Sequence, residues 1–314
     1  MFATHPRARG ALCRSLAVTL CLVAAPLAAW GEEPAPAGSV ESGSTPATTI
    51  EPPATNSGKI ALSVGSDFTT AYFFRGILQE RDGFIWQPYG GVTFTLAEDI
   101  GYGVINNIDL AIGTWNSVQT AQTGATSSPQ NWYESDVIVG FNVGLWDFVS
   151  TNISYVAFTF PNGAYATAQE LDWTIAFDDS SLLGPFALNP SMLWVFEVDN
   201  TAFGDQEGIY LGLGVKPGVT LFEEAEYPLT LALPVTVGLS VSDYYEVPGE
   251  SDDTFGYFDV GLAASVPLSF ISSDYGEWSV SAAVDYLALS GTLADANRGD
   301  GGFFVGKAGI AFSY

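Results

Sequence analysis

The chain has 314 residues, among them 35 acidic and nine basic ones, one histidine and two cysteines. His5, Cys13 and Cys21 fall within the first 21 positions. Everything beyond them lacks imidazole and thiol, which excludes a Ser-His hydrolase, a thiolate nucleophile and the usual zinc and transition-metal sites. Arg7, Arg9 and Arg14 lie in the same leader, leaving six bases against 35 acids after it. A balance of that sign repels phosphate and argues against a nucleic-acid partner.

The basic start is followed by an apolar run from Leu16 to Ala29, interrupted by Pro26, and then by Ala29-Trp30-Gly31. That run is shorter than the roughly 20 residues of a spanning helix, and its order of basic, apolar and small residues is that of a secretory signal over residues 1–31. Residues 32–58 are rich in Pro, Ala, Ser and Thr with almost no large apolar side chain. They cannot bury enough surface to fold and are expected to be a disordered tether, leaving residues 59–314 as one domain.

From Lys59 onward the apolar residues recur at every second position, the period of a strand with one greasy face. The first stretch sets Ile60, Leu62, Val64, Phe68, Tyr72 and Phe74 against Ser63, Asp67, Thr69 and Arg75. The second sets Phe84, Trp86, Val92, Phe94 and Leu96 against Gln87, Tyr89, Thr93 and Thr95, and the third Ile108, Leu110 and Ile112 against Asn107, Asp109 and Gly113. Val137 to Leu145, Val149 to Tyr155 and Leu171 to Phe177 keep the rule, with Glu134, Asp136, Glu170 and Asp172 on the other parity. A seventh strand carries Phe186, Leu188, Met192, Trp194 and Phe196 outward and Asn189, Ser191 and Glu197 inward. An eighth opposes Ile209, Leu211, Leu213, Val215 and Val219 to Lys216 and Thr220, and a ninth runs from Leu229 to Val241 as a single alternating stretch. Phe258 to Leu268, Trp278 to Tyr286 and Phe303 to Tyr314 complete the series, with Asp259, Asp285 and Lys307 on the polar side.

So long and uniform an apolar face behind a secretory signal predicts an all-β transmembrane antiparallel up-and-down barrel of about 12 strands in the bacterial outer membrane, with both termini in the periplasm. The terminal strand is expected to close it on the first. The connections agree. Asn116 to Asn131, Ser242 to Thr254 and Ser290 to Gly302 are long and would face outward, whereas Trp146-Asp147 and Phe222 to Tyr227 are short. Trp146, Phe148, Tyr227, Trp278 and Tyr314 collect at the inner rim, where an aromatic girdle would lie.

The strand charges Asp67, Arg75, Asp109, Glu134, Asp136, Glu170, Asp172, Glu197, Lys216, Asp259, Asp285 and Lys307 all take the inward parity. A charge facing lipid at mid-membrane costs about 2–4 kcal/mol, so these residues are read as lumen-lining. The residues leave two lumens standing. An open one would prefer cations, and a packed one would pair Arg75, Lys216 and Lys307 with neighbouring carboxylates. The pairs Glu134/Asp136 and Glu170/Asp172 share a strand face and could in principle serve acid and base roles, but this spacing is what lumen polarity produces and no enzyme activity is read from it. Residues 295–301 have a calcium-loop flavour without the distant bidentate Glu, and Arg298 intrudes, so they are read as a polar turn. Asp205, Glu207, Glu246, Glu250, Asp252 and Asp253 make the outer loops acidic. No metal and no cofactor is expected.

Ser66-Asp67-Phe68 and Tyr72-Phe73-Phe74-Arg75-Gly76-Ile77-Leu78-Gln79 resemble the opening of the TorF-like porins, whose first strand reads aromatic-x-Phe-Arg-Gly-Ile-Ser-Gln, with Leu78 here in place of the serine. Gln87-Pro88-Tyr89-Gly90-Gly91 is loosely similar to that family's Pro-x-x-Gln-Gly-Gly segment. The resemblance covers one hairpin. It implies an outer-membrane channel-like barrel of undefined substrate and carries over no catalytic residues; the chain as a whole is read as a porin-like channel for passive diffusion of small solutes with a cation preference. Tyr72 and Phe74 would then suit the outer interface, Arg75 the mouth and Gly76 a turn. Expected partners are outer-membrane lipid, the outer-membrane assembly machinery and small solutes. The rival reading is a structural or adhesive barrel with a plugged lumen.

Overall fold

The computed structural model describes residues 58–121, 131–201, 206–246, 253–297 and 299–314. The signal, the tether up to residue 57, and Asp205, Glu250, Asp252 and Arg298 lie outside them.

The alternating stretches form strands β1 (Ile60–Thr69), β2 (Tyr72–Phe74), β3 (Ile77–Glu80), β4 (Ile85–Ile100), β5 (Ile105–Gln119), β6 (Trp132–Leu145), β7 (Val149–Thr159) and β8 (Ala168–Phe177). They continue as β9 (Ser191–Asp199), β10 (Ile209–Val215), β11 (Gly218–Leu221), β12 (Leu229–Ala232), β13 (Val235–Ser242), β14 (Phe255–Pro267), β15 (Glu277–Leu289) and β16 (Gly302–Ser313). Two short helices, α1 (Ser180–Leu183) and α2 (Gly291–Ala296), sit in connections. Apart from β2 and β3, which pair only with each other, the strands pair antiparallel in chain order, with β10 on β9 and β13, β11 on β12, and β12 and β13 both on β14, and β16 returns to β1 from Thr69↔Lys307 to Ser63↔Ser313. The sheet is a closed up-and-down barrel of twelve staves, β10 with β11 and β12 with β13 each counting as one.

Those two staves are interrupted at Pro217 and Pro234, because proline has no N–H to give to a ladder. The ninth stretch, read from the sequence as unbroken, is therefore two strands. The wall is stitched across the gap by Leu233 N–H to Pro217 O and Gly261 N–H to Pro234 O, both 2.9 Å. Leu213, Val219, Leu233 and Val241 all remain exposed, so the alternation survives.

The outward face is apolar. Ile60, Leu62, Val64, Phe68, Val137, Phe141, Ile153, Leu262, Val284 and Ile310 are exposed on it. The ring closes through β1–β16 and β14–β15, with β11 alone paired on one side only, and closure of this kind is what a hydrocarbon bilayer demands of strands. Strand charges outside the inward set, Glu98, Asp99, Asp199 and Glu277, stand at strand ends. Trp146, Phe148, Tyr227 and Tyr314 are exposed at the end that carries the termini, and Trp278 packs there on Phe312 with ring centroids 4.9 Å apart.

Inside, glycine makes room for rings. Tyr89 is the cross-strand partner of Gly65 and Tyr257 that of Gly238, and a Cβ on either glycine would fall 2.2 Å from the ring opposite. Each tyrosine lies flat along the wall over its partner's missing side chain.

Two expectations about the chain path are corrected. The sequence pattern puts Phe186, Leu188 and Asn189 on the seventh strand, but β9 begins only at Ser191. Pro185 sits within a 3-10 turn (Gly184–Phe186) there and Pro190 immediately precedes β9, and the Asp179 carboxylate accepts from the Leu188 and Asn189 N–H groups at 2.9 Å. The first stretch does not run on to Arg75 either. It stops at Thr69, whose hydroxyl donates to Ala71 O at 2.7 Å, and the next segment turns into the barrel as the β2–β3 hairpin. Phe74 pairs with Ile77, leaving Arg75 (φ 48°) and Gly76 (φ 83°) as a two-residue loop with both φ positive, as in a type I′ turn.

Tyr72, Phe73 and Phe74 are consequently buried and not at the outer interface. They find apolar partners because the inward positions toward the outer end are not polar: Trp115, Ile138, Val156, Phe158, Val195, Tyr210, Tyr257, Leu287 and Val305 all point in and are buried. Tyr72 and Phe74 join the cluster on β5 to β8, and Phe73 joins Leu287 and Val305 on β15 and β16. This core lies within the barrel, where membrane barrels of larger bore hold water.

Candidate functional site: the lumen and its hairpin plug

The β2–β3 hairpin reaches the wall on opposite sides. Tyr72 packs on Trp115 (centroids 5.3 Å apart) and Tyr133 (6.5 Å), and Phe74 meets Phe158 edge-on at 5.3 Å. Across the bore Phe73 packs on Phe303 at 4.8 Å. Polar contacts fix the same hairpin. Tyr72 Oη donates to Glu134 at 3.0 Å, and Tyr133 Oη to Gln79 at 2.5 Å. Burial, with the Glu134 carboxylate next, holds the Tyr72 phenol well above its ordinary pKa, so it acts as a donor.

Arg75 at the hairpin tip is fully buried. Its Nη1 and Nη2 donate to Glu170 Oε1 and Oε2 at 2.9 and 2.8 Å, a bidentate fork, and Nη1 also donates to Tyr244 Oη at 2.5 Å. Asp172 stands on the same strand face with its Oδ2 3.9 Å from Nη2, and no donor among the described residues hydrogen-bonds either of its oxygens. The guanidinium carbon lies 4.6, 5.1 and 5.5 Å from the ring centroids of Phe74, Tyr210 and Tyr244. Burial pushes the Tyr244 phenol well above its usual pKa although Arg75 beside it works the other way, so the ring stays neutral. A charge enclosed like this is tolerable only because a fork, a hydroxyl and aromatic faces surround it.

The loops at the barrel end away from the termini clamp the tip from behind. Tyr245 Oη donates to Arg75 O at 3.0 Å. Asn297, just after α2, accepts from Leu78 N–H and donates to Gly76 O, both at 3.1 Å. Arg81 pairs with Asp300 at 2.9 Å. The segment with the calcium-loop flavour thus supplies a clamp for the hairpin, and no cluster of three metal-ligating side chains occurs among the described residues.

Of the other inward charges, Asp67, Asp109, Glu134, Asp136, Glu170, Asp172, Glu197 and Asp285 are buried inside the wall, and Lys216, Asp259 and Lys307 are half-buried. Arg75 is the exception to the parity reading, since it sits on the hairpin and not on a stave. Lys307 pairs with Asp285 at 3.2 Å, Asp285 lies over Gly261, and Asp67 lies over Gly309. Glu197 accepts from Gly208 N–H at 2.7 Å, and Asp109 from Asn107. The structure therefore gathers one group at Arg75 and another around Lys307. Tyr210, Tyr244 and Tyr245 belong to the first group, and Asn297 holds the neighbouring Gly76 O. They were not singled out as site residues because each has an ordinary local pattern.

No protein-family model matches this chain, and no curated protein sequence matches it. Several solved structures are similar to it, among them the following three. An outer-membrane channel from Pseudomonas putida F1 is 10% identical, with a TM-score of 0.44, 81% of this chain covered and 94% of that one. LpxR from Salmonella typhimurium is 7% identical, with a TM-score of 0.43 and coverage of 80% and 99%. The NanC porin is 11% identical, with a TM-score of 0.37 and coverage of 80% and 98%.

Proposed function

We propose that this chain is a bacterial outer-membrane channel for small polar solutes, preferring cations, whose lumen is shut by the β2–β3 hairpin in the state described here. The observation that carries the reading is the hairpin itself, which packs on β5, β6 and β7 on one side and on β16 on the other and is pinned by Arg75 to Glu170. A structural barrel would have no need for a plug separable from its wall; here every plug contact belongs to one loop between β1 and β4. The residues that resemble the TorF-like opening, Tyr72 to Gln79, are those that build it. Cation preference is supported by the interior balance among the described residues, where Asp67, Asp109, Glu134, Asp136, Glu170, Asp172, Glu197, Asp259 and Asp285 outnumber Arg75, Lys216 and Lys307.

Planar-bilayer recording tests this. The native protein should pass little current, and a variant with residues 71–83 replaced by a short Gly-Ser linker should pass a large one. Its reversal potential across a salt gradient should favour cations, less so with Asp259→Asn and Asp285→Asn. A folded, heat-modifiable linker variant without conductance would establish the plugged structural barrel instead. Anion selectivity would overturn the charge reading.

A further inference from the structure

We infer that the pocket holding the Arg75 side chain is a binding site for planar, fork-donating cations, that is, guanidinium-bearing solutes, and that Arg75 is its tethered occupant. The inference rests on the proposed function only in that the hairpin can leave; the pocket is a property of the wall. Its walls come from elements other than the hairpin. Glu170 and Asp172 stand on β8, Tyr210 on β10, and Tyr244 follows β13. Together they offer a carboxylate spaced for a fork, a hydroxyl at 2.5 Å and two aromatic faces at 5.1 and 5.5 Å, which matches the two terminal nitrogens and the planar faces of a guanidinium.

Two further observations point to a ligand site and not to a structural ion pair alone. Asp172 is fully buried beside the fork, and neither of its oxygens accepts a hydrogen bond from a described residue, so the pocket has acceptor capacity that Arg75 leaves unused. And Arg75 is presented on a left-handed backbone (φ 48°), a conformation that disfavours a residue with a Cβ. Glycine would suit that turn position better, so the guanidinium is held there against local preference. A free guanidinium ion bears the same fork without the strain, and it can occupy the pocket once the tether is gone.

Arg75→Gly removes the tether while suiting the turn. Guanidinium chloride at about 10 mM, a range suited to so small a fragment, should raise the thermal unfolding midpoint of the detergent-solubilised variant and slow amide exchange in the hairpin, whereas equal sodium chloride should not. Glu170→Gln in that background should weaken the effect by at least about tenfold, the loss expected of a charge-assisted fork. In bilayers, guanidinium should reduce any Arg75→Gly current more than sodium does. No stabilisation beyond that of sodium, or an equal response in the double variant, overturns the site. If Arg75→Gly does not fold, Arg75→Lys serves: its ammonium cannot fork, so guanidinium should displace it and speed hairpin exchange, and unchanged exchange overturns the site. Stabilisation by guanidinium together with a silent linker-replaced barrel would sustain the site while ending the channel reading.

Discussion

Arg75 and Glu170 meet in a two-bond fork at 2.9 and 2.8 Å, although 95 residues separate them and only Glu170 belongs to the barrel wall. One contact thus joins a mobile class of element, a loop, to the rigid one around it. Its strength comes from enclosure, because both side chains are almost wholly removed from water.

Glu170→Gln breaks the fork and leaves the guanidinium enclosed with only the more distant Asp172 carboxylate. Removing one partner of a buried pair costs about 3–5 kcal/mol. The cost should fall on the plug, not on the barrel, so amides of β2 and β3 should exchange faster by orders of magnitude while those of β5 and β6 keep their protection. Unchanged hairpin exchange would mean that the apolar contacts of Phe73 and Phe74 hold the plug by themselves.

Gly65 and Tyr89 form a second testable pair. Gly65→Ala would place a methyl group against the Tyr89 ring, an overpacking worth about 1–3 kcal/mol. In a Tyr89→Ala background the same substitution should cost much less. Unfolding midpoints in urea for the four proteins of the cycle measure the coupling, and additivity within about 0.5 kcal/mol would show that the ring does not depend on the glycine.

Topology is open to labelling, since both cysteines lie in the first 21 residues and the barrel has none. Asp82→Cys, in the loop after β3, should react with an impermeant maleimide on intact cells, and Asp147→Cys, in the β6–β7 turn, only after the outer membrane is breached. The reverse pattern would invert the barrel.

The closing strand should control assembly. Tyr314 exchanges backbone hydrogen bonds with Leu62 at 2.7 and 2.9 Å, and Phe312 packs on Trp278. Phe312→Ser with Tyr314→Ser removes the aromatic anchors at this seam, and the heat-modifiable folded form should drop several-fold in membranes. A normal yield would assign closure to the backbone pairing alone.

The barrel was legible residue by residue because each outward position takes an apolar side chain independently of every other. Ile60, Val139 or Ile310 must be apolar whatever lies elsewhere in the chain, so the period of two, the number of staves and the inward placement of charge are all written locally. The plug is different in kind. The alternation near Thr69 does not distinguish a strand that continues outward to Arg75 from one that stops and folds in, since Tyr72 and Phe74 keep the outward parity of β1. A weak trace existed in the apolar inward residues Ile138, Val156, Phe158 and Val195, which lumen polarity does not explain, and in Arg75-Gly76 flanked by Phe74 and Ile77, a two-residue turn pattern. Which state wins depends on Trp115, Phe158, Glu170, Tyr244 and Asn297, brought to one place only when the sheet closes. Burying the hairpin gains apolar contact and an enclosed ion pair that no local segment possesses, and so the tertiary structure alone decided that this lumen is filled.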